Sequence, residues 1–237
     1  MYNDVFADIY HQFYSARGRD YAAEADQIVK LAGDRVSKAT SLLDVACGTG
    51  QHLKRFSEIY PDVEGVDLSE DMLHFARREL PAVSLHHGDM CSFDLGRRFD
   101  IATCLFSSVG HMPAMTELEA AVSNILRHVS PRGVLVLEPW WFPDDFIDGY
   151  VASDALTVAG RKLCRMSYST LSGNRSNIEV HYLVADPGSA PRHIVDRTEL
   201  TLFTRDQYEA AFRAAGAESE YVSGGPSGRG LFIGWRK

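Results

Sequence analysis

No two cysteines of this sequence form a CxxC pair. Cys47, Cys91, Cys104 and Cys164 lie far apart, which argues against a zinc knuckle and against a secreted disulfide framework, so reduced thiols are expected. Lysine and arginine never gather into a run, and the formal net charge is -8. The chain therefore has no electrostatic footprint for nucleic acid or an anionic membrane, and an anionic ligand would have to be held by a few local groups. No apolar run reaches the roughly eighteen residues of a spanning helix, and the opening "MYNDVFADIY" carries acids instead of an apolar leader. These absences point to a cytoplasmic protein. The 9 histidines include the adjacent His86 and His87, but neither HExxH nor a three-ligand set is present, and no metal is expected. A GxSxG elbow is missing too, which argues against covalent catalysis.

What is present suits a globular chain with a full core: 237 residues, 45% of them hydrophobic. Phe6, Ile9, Tyr10 and Phe13 recur at helical spacing; after a break at "ARGRD", Ala25, Ile28 and Leu31 mark a second helix. From residue 41 short apolar runs alternate with amphipathic ones: "SLLDVA", "QHLKRFSEIY", "VEGVDL", "SEDMLHFARREL", "VSLHHGD", "FDIATCLF", "TELEAAVSNILRHV", "GVLVLEPW". Ser69 is placed to cap the second of these helices. Strands and helices in this order predict an α/β fold, a doubly wound, mostly parallel sheet covered on both faces. Near residue 155 the period becomes two: "RKLCRMSYSTL", "SNIEVHYLVAD" and "RHIVDRTELTLF" are separated by turn-rich links, which predicts an inserted three-stranded antiparallel meander. The end returns to helix, strand, the glycine-rich "GGPSGRG" and a last strand. The expected division is an amino-terminal helical lid over 1–37, an α/β domain over 38–150 and 204–237, and an inserted β layer over 151–203.

The sharpest signal is "LLDVACGTG". Gly48 and Gly50 let the backbone turn closely around a ligand at a helix start, Asp44 lies near the strand end, and Asp67 closes the next strand, where an acid can accept both hydroxyls of a ribose. A dinucleotide site wants G-x-G-x-x-G, but the third position here is Leu53. The pattern Asp44-x-Ala46-x-Gly48-x-Gly50 instead resembles the first motif of class I S-adenosylmethionine-dependent methyltransferases. That resemblance implies a seven-stranded sheet with its last strand antiparallel, S-adenosyl-L-methionine as methyl donor and S-adenosyl-L-homocysteine as product. It places Asp89 of "HGDM" at the adenine amino group with Met90 beside it, and Leu105 and Phe106 near the methionine moiety.

A narrower resemblance covers nearly the whole chain. "GRDYAAEA", "SLLDVACGTG", "HHGDM", "ATCLFSSVGHM", "EPWWFP", "GYVA", "TLFTRDQYEAAFRAAG" and "GGPSGRGLF" are similar to the sugar N,N-dimethyltransferases that finish desosamine and mycaminose, the dimethylamino sugars of macrolide antibiotics. Two positions depart from that pattern, Asp67 where Glu is common and Leu105 where Met is common, and both replacements keep the chemistry. The resemblance implies two methylations of the 3-amino group of a dTDP-linked deoxysugar.

Methyl transfer is an in-line displacement, so the protein chiefly holds a neutral amine about 3 Å from the methyl carbon. Ser107, Ser108 and His111 follow the fourth strand, where such a sheet exposes its strand ends to ligand; His111 either orients the amine or accepts its proton. The resemblance places His111 on the sugar-facing loop and turns Arg229 toward the dTDP moiety, where a guanidinium can bind phosphate oxygens bidentately. Tyr2, Tyr14 and Arg17 are candidates to cover the substrate, Tyr14 and Arg17 sharing a helix face. Tyr21 is assigned to the cofactor by its place in "GRDY". Glu138 and Trp140 are expected to wall the sugar-nucleotide pocket where Pro139 and Pro143 hold the chain out of regular structure. The open alternatives are a methyltransferase for another small molecule and a non-catalytic S-adenosylmethionine-binding protein. A dehydrogenase is weaker because of the missing glycine. A homodimer paired through the meander is also expected.

Overall fold

The computed structural model describes residues 4–236. Six helices and eleven strands are found among them: α1 (Asp4–Ala16), α2 (Tyr21–Gly33), β1 (Ser41–Val45), α3 (Gln51–Ile59), β2 (Asp62–Asp67), α4 (Glu70–Glu79), β3 (Ser84–His87), β4 (Phe99–Cys104), α5 (Met115–Arg127), β5 (Val129–Leu137), β6 (Tyr150–Val158), β7 (Arg161–Ser172), β8 (Arg175–Ala185), β9 (Arg192–Thr201), α6 (Arg205–Ala214), β10 (Ala217–Val222) and β11 (Leu231–Arg236). No described helix is long and apolar enough to cross a membrane.

The larger sheet has seven strands in the order β10-β11-β5-β4-β1-β2-β3. All run parallel except β11, which is antiparallel to both β5 and β10. This is the expected class I methyltransferase layout. Its central strands are apolar throughout because helices cover both faces; every residue of β1 is buried, and Val134 to Leu137 of β5 are at most 1% exposed. Chain order reverses at β1, which lies between β2 and β4. The crevice at that reversal, beyond the carboxyl ends, is where such sheets bind ligands.

Local signals set the helix ends. Ser69 accepts a hydrogen bond from Met72 N, Glu70 and Asp71 fill the first turn of α4, and Arg77 and Arg78 its last, matching the helix dipole at both ends. Thr204 and Gln207 form a reciprocal capping box on α6. Pro131 sits inside β5 where the pairing with β4 shifts register between Phe99 and Ile101, the irregularity at which a strand tolerates proline.

The inserted layer differs from the expectation: it has four strands, ordered β6-β7-β8-β9. The additional strand, β6, pairs antiparallel with β7 through the tight turn at Ala159 and Gly160, both with positive φ as a two-residue hairpin requires. In "YVASDALTV" the alternation is blurred by alanine, and the polar Asp154 occupies an inward position.

Candidate active site

The turn after β1 is built from left-handed residues: Ala46 at φ 59, Gly48 at φ 56 and Gly50 at φ 79. Gly50 caps α3, and a Cβ there would lie 2.8 Å from Leu80 Cδ1; only glycine meets both demands. Ala46 bears strain of the kind stored at functional turns. The absent third glycine has a counterpart across the contact. A Cβ on Gly65 of β2 would come within 2.7 Å of Leu53 Cδ1. Close packing of α3 on the sheet is thus secured by a glycine on the strand.

Two carboxylates flank the turn. Asp44 is 3% exposed and accepts from Thr103 Oγ1 at 2.6 Å; burial pushes its pKa up to about 6, with Asp67 adding to the rise and His52 and Thr103 opposing it. Asp67 accepts from Gly48 N at 2.7 Å and Ser69 N at 2.8 Å. Its pKa is also raised by burial, which these backbone donors partly counter. Asp89, after β3, is exposed and accepts from Cys91 N at 2.8 Å, with Met90 half-buried beside it.

The fourth strand ends in a second strained turn. Leu105 is 3% exposed, and Phe106 and Ser107 follow at φ 55 and 63. Phe106 N donates to Glu138 Oε2 at 2.6 Å. Ser107 is buried, its hydroxyl donating to Pro139 O at 2.7 Å, so it ties two strand exits together. A 3-10 turn over Ser108–His111 leaves His111 in contact with solvent. Restricted hydration lowers the His111 pKa from the usual 6.5, and the charge of Asp196 on β9 opposes that drop.

Glu138, fully buried, joins the strand exit to the last hairpin. It accepts from Ser227 Oγ and faces Arg229 Nη2 at 3.6 Å. The Arg229 guanidinium lies over both Trp140, at 5.0 Å, and Trp141, at 5.4 Å. Trp140 Nε1 donates to Ser176 Oγ of β8 at 2.9 Å. Arg229 is held by its backbone: its carbonyl accepts from Tyr221 Oη at 3.0 Å. Burial lowers its pKa, Glu138 opposing, and its Nε is buried without a hydrogen-bond partner.

The amino-terminal helices close the arrangement. His11 of α1 contacts Gln51 Nε2 at 2.5 Å and Thr49 Oγ1 at 3.5 Å, and Tyr14 packs edge-on against Phe106 at 5.4 Å. Arg17 pairs instead with Asp154 of β6 at 3.3 Å. Tyr21 packs edge-on against His52 at 5.0 Å; burial raises its pKa to about 12, Arg19 opposing. Tyr2 lies outside the described residues.

Arg19 was not singled out by spacing or periodicity, although "GRDY" contains it. Its guanidinium sits 4.1 Å from the Phe106 ring, its Nε donates to Glu24 Oε1 at 2.6 Å, and its Nη2 is buried without a hydrogen-bond partner. Burial works to lower its pKa but the bond and charge of Glu24 raise it overall. Buried guanidinium N–H groups without partners fit anionic ligand groups, since each is costly unless satisfied. Two hollows lie away from these strand exits, one near Asp94 and His128 and one, of about 480 Å³, near Tyr168 and Arg197. Among the described residues no group of three or more His, Cys, Asp or Glu could hold a metal ion.

Comparison with known proteins decides the family. Residues 42–133 match a methyltransferase domain model. The chain is 52% identical, over 99% of both chains, to the dTDP-3-amino-3,4,6-trideoxy-alpha-D-glucopyranose N,N-dimethyltransferase of Streptomyces venezuelae. It belongs to the sugar N,N-dimethyltransferase family. A second relative of this methyltransferase, the dTDP-3-amino-3,6-dideoxy-alpha-D-glucopyranose N,N-dimethyltransferase of Streptomyces fradiae, is 49% identical over 98% of this chain and 91% of its own. Among solved structures, DesVI of Streptomyces venezuelae superposes with a TM-score of 0.96 at 52% identity, covering 98% of each chain. CalS10 of Micromonospora echinaspora, an amino pentose methyltransferase solved with S-adenosylmethionine bound, superposes with a TM-score of 0.90 at 46% identity over 97% of each chain. The fold and the enzyme class expected from the sequence are thereby established.

Proposed function

We propose that this methyltransferase transfers methyl groups from S-adenosylmethionine, twice in succession, to the 3-amino group of a dTDP-linked deoxysugar of the kind found on macrolide antibiotics. The observation that carries the nucleotide-sugar reading is Arg229: a guanidinium buried beside Glu138 and over two tryptophans, with Nε unpartnered, suits the diphosphate. The names of the two relatives support the same substrate class. Asp44, Ala46, Gly48, Gly50, Asp67, Asp89, Met90, Leu105 and Tyr21 would hold the cofactor, and the unpartnered Nη2 of Arg19 fits its carboxylate. When bound, that cofactor supplies an electrophilic methyl on sulfur.

The protein's own part is placement. His111, its pKa held below the usual value, is neutral at pH 7, so it can accept a hydrogen bond from the amine and take up the proton released. Tyr14, Arg17, Ser107, Glu138 and Trp140 would shape the sugar end, α1 and α2 covering it as a lid. The test is mass spectrometry of a dTDP-3-amino-deoxysugar incubated with enzyme and S-adenosylmethionine. Two successive methylene increments are expected; no increment with any of a panel of such sugars rejects the reading.

We also infer a homodimer. The face of the inserted sheet turned away from the site carries Val151, Met166, Tyr168 and Leu183, each at least 50% exposed, an apolar surface of the kind that marks an interface. Pairing two such faces across a two-fold axis would cover it.

A further inference from the structure

Three ionisable side chains from three parts of the chain are joined beneath the amino-terminal helices. Arg19 lies in the link between α1 and α2, Glu24 in the first turn of α2 and His52 in the first turn of α3. Both Glu24 oxygens are engaged: Oε1 accepts from Arg19 Nε at 2.6 Å, and Oε2 meets His52 Nε2 at 2.8 Å. Burial works to raise the Glu24 pKa, but the bonds and charges of His52 and Arg19 lower it overall. Glu24 is therefore a carboxylate at neutral pH, and because a carboxylate only accepts, His52 carries a proton on Nε2. None of the three side chains is more than 16% exposed. Such a network adds little to stability, because desolvation offsets the attraction and apolar residues of similar volume often serve as well.

Its position gives it another role. β1 and β4 are neighbours in the sheet, so the glycine turn after β1 and the strained exit after β4 border the same crevice. His52 stands just beyond Gly50 of that turn, and the Arg19 guanidinium lies 4.1 Å from the Phe106 ring at that exit. The network thus reaches from one border of the crevice to the other. Arg19 is held on three sides, by Glu24 at Nε, by the Phe106 ring and by the Tyr21 ring at 5.2 Å. Tyr21 in turn packs edge-on against His52. With Nε engaged, the outer end of the fork remains, and Nη2 is buried there without a hydrogen-bond partner. A guanidinium fixed in this way with a donor left over suits a carboxylate.

We propose that Glu24 and His52 are positioning residues: His52 anchors Glu24 to the start of α3, and Glu24 fixes the Arg19 guanidinium so that Nη2 is presented to the carboxylate of S-adenosylmethionine. This rests on the cofactor reading above. The carboxylate ends the short chain that carries the reactive sulfur, so holding it restricts where the methyl group points, and in-line transfer is sensitive to that direction. A loose arginine would have to be ordered at each binding event; one already held by Glu24 is ordered beforehand.

Isothermal titration calorimetry tests this with two ligands, S-adenosylhomocysteine and its decarboxylated analogue, which keeps the adenosine, the sulfur and the amino group. The wild type is compared with Arg19→Met, Glu24→Gln, His52→Leu and the double variant of Arg19→Met with Glu24→Gln. Selectivity for the carboxylate ligand should fall at least about tenfold in Arg19→Met, as for a lost hydrogen bond between charged groups. In Glu24→Gln and His52→Leu, which keep the arginine but loosen it, the fall should be about threefold or more. The double variant should show the selectivity of Arg19→Met with no further loss, since a residue that acts only through another has no effect once that other is gone. Affinity for the analogue stays near the wild-type value throughout and reports folding.

Equal losses on both ligands in Glu24→Gln or His52→Leu would mark a merely structural role and overturn the proposal. Additive losses in the double variant overturn it too, because Glu24 would then not act through Arg19. Unchanged selectivity in Arg19→Met overturns it at the arginine. If the wild type binds neither ligand, the cofactor reading falls and takes the proposal with it.

Discussion

The two sheets use the same chain in opposite ways. The parallel sheet is sealed on both faces, and the groups proposed here to bind ligand emerge where strands stop: Asp44, Asp67, Asp89, Phe106 and Glu138 each stand at or just beyond a carboxyl end. The antiparallel sheet leaves one face exposed and packs the other against α1, and polar groups such as Asp154, Arg165 and Asp196 project from strand interiors on that packed face. The first arrangement places a few groups by backbone turns, some of them strained; the second places a row by pleat and register.

The largest expected effect tests the turn side of that contrast. Gly50→Val forces a branched side chain into φ 79 against Leu80, costing about 1–2 kcal/mol for the left-handed backbone alone and more for the collision. Titration should show loss of detectable S-adenosylmethionine binding and thermal melting a clear drop in Tm; retained affinity would mean the turn does not hold the cofactor. Next comes Arg229→Ala, which removes the charge facing the buried Glu138. Loss of one member of a buried pair costs about 3–5 kcal/mol of folding stability, so Tm should fall; on the proposed diphosphate role of Arg229, sugar-nucleotide KM should also rise at least about tenfold, as expected for a lost charge-assisted hydrogen bond, while cofactor affinity changes little.

A smaller effect follows from Asp44. Its folded pKa, about 6, lies above the 3.8 of an unperturbed side chain. Its contribution to the stability of the ligand-free protein is therefore full below about 3.8 and lost as pH rises through 6. Cofactor binding runs the other way, since a cationic ligand wants the carboxylate: affinity measured by calorimetry should weaken by up to about tenfold per pH unit below 6, with proton release on binding near that pH. The smallest effect on turnover belongs to the outer face of the second sheet. Met166→Asp should convert dimer to monomer in analytical ultracentrifugation with kcat altered less than about twofold; an unchanged dimer would place the interface elsewhere.

Legibility in the sequence followed the same division. Continuous apolar runs such as "VLVL" and the glycines of "CGTG" report local physics, and they placed the parallel sheet and its turn. The strand β6 escaped because Ala152, Asp154 and Ala155 give no contrast between inner and outer positions. Arg19 escaped for a different reason: nothing near it in sequence tells that Phe106 will lie against it. Ser107 was legible as a residue of the strand exit, but its bond to Pro139 was not, because the partner arrives from 32 positions away.

The contact of Leu53 with Gly65 turns cofactor choice into a question of matched volumes. In a dinucleotide turn the missing side chain belongs to the helix; here it belongs to the strand, and the helix contributes the bulk. Removing the leucine alone would open a void beside β2, and adding a side chain at Gly65 alone would drive α3 off the sheet. Each single step is penalised in the core, so the two solutions are separated by a barrier of packing as well as by the chemistry of their ligands.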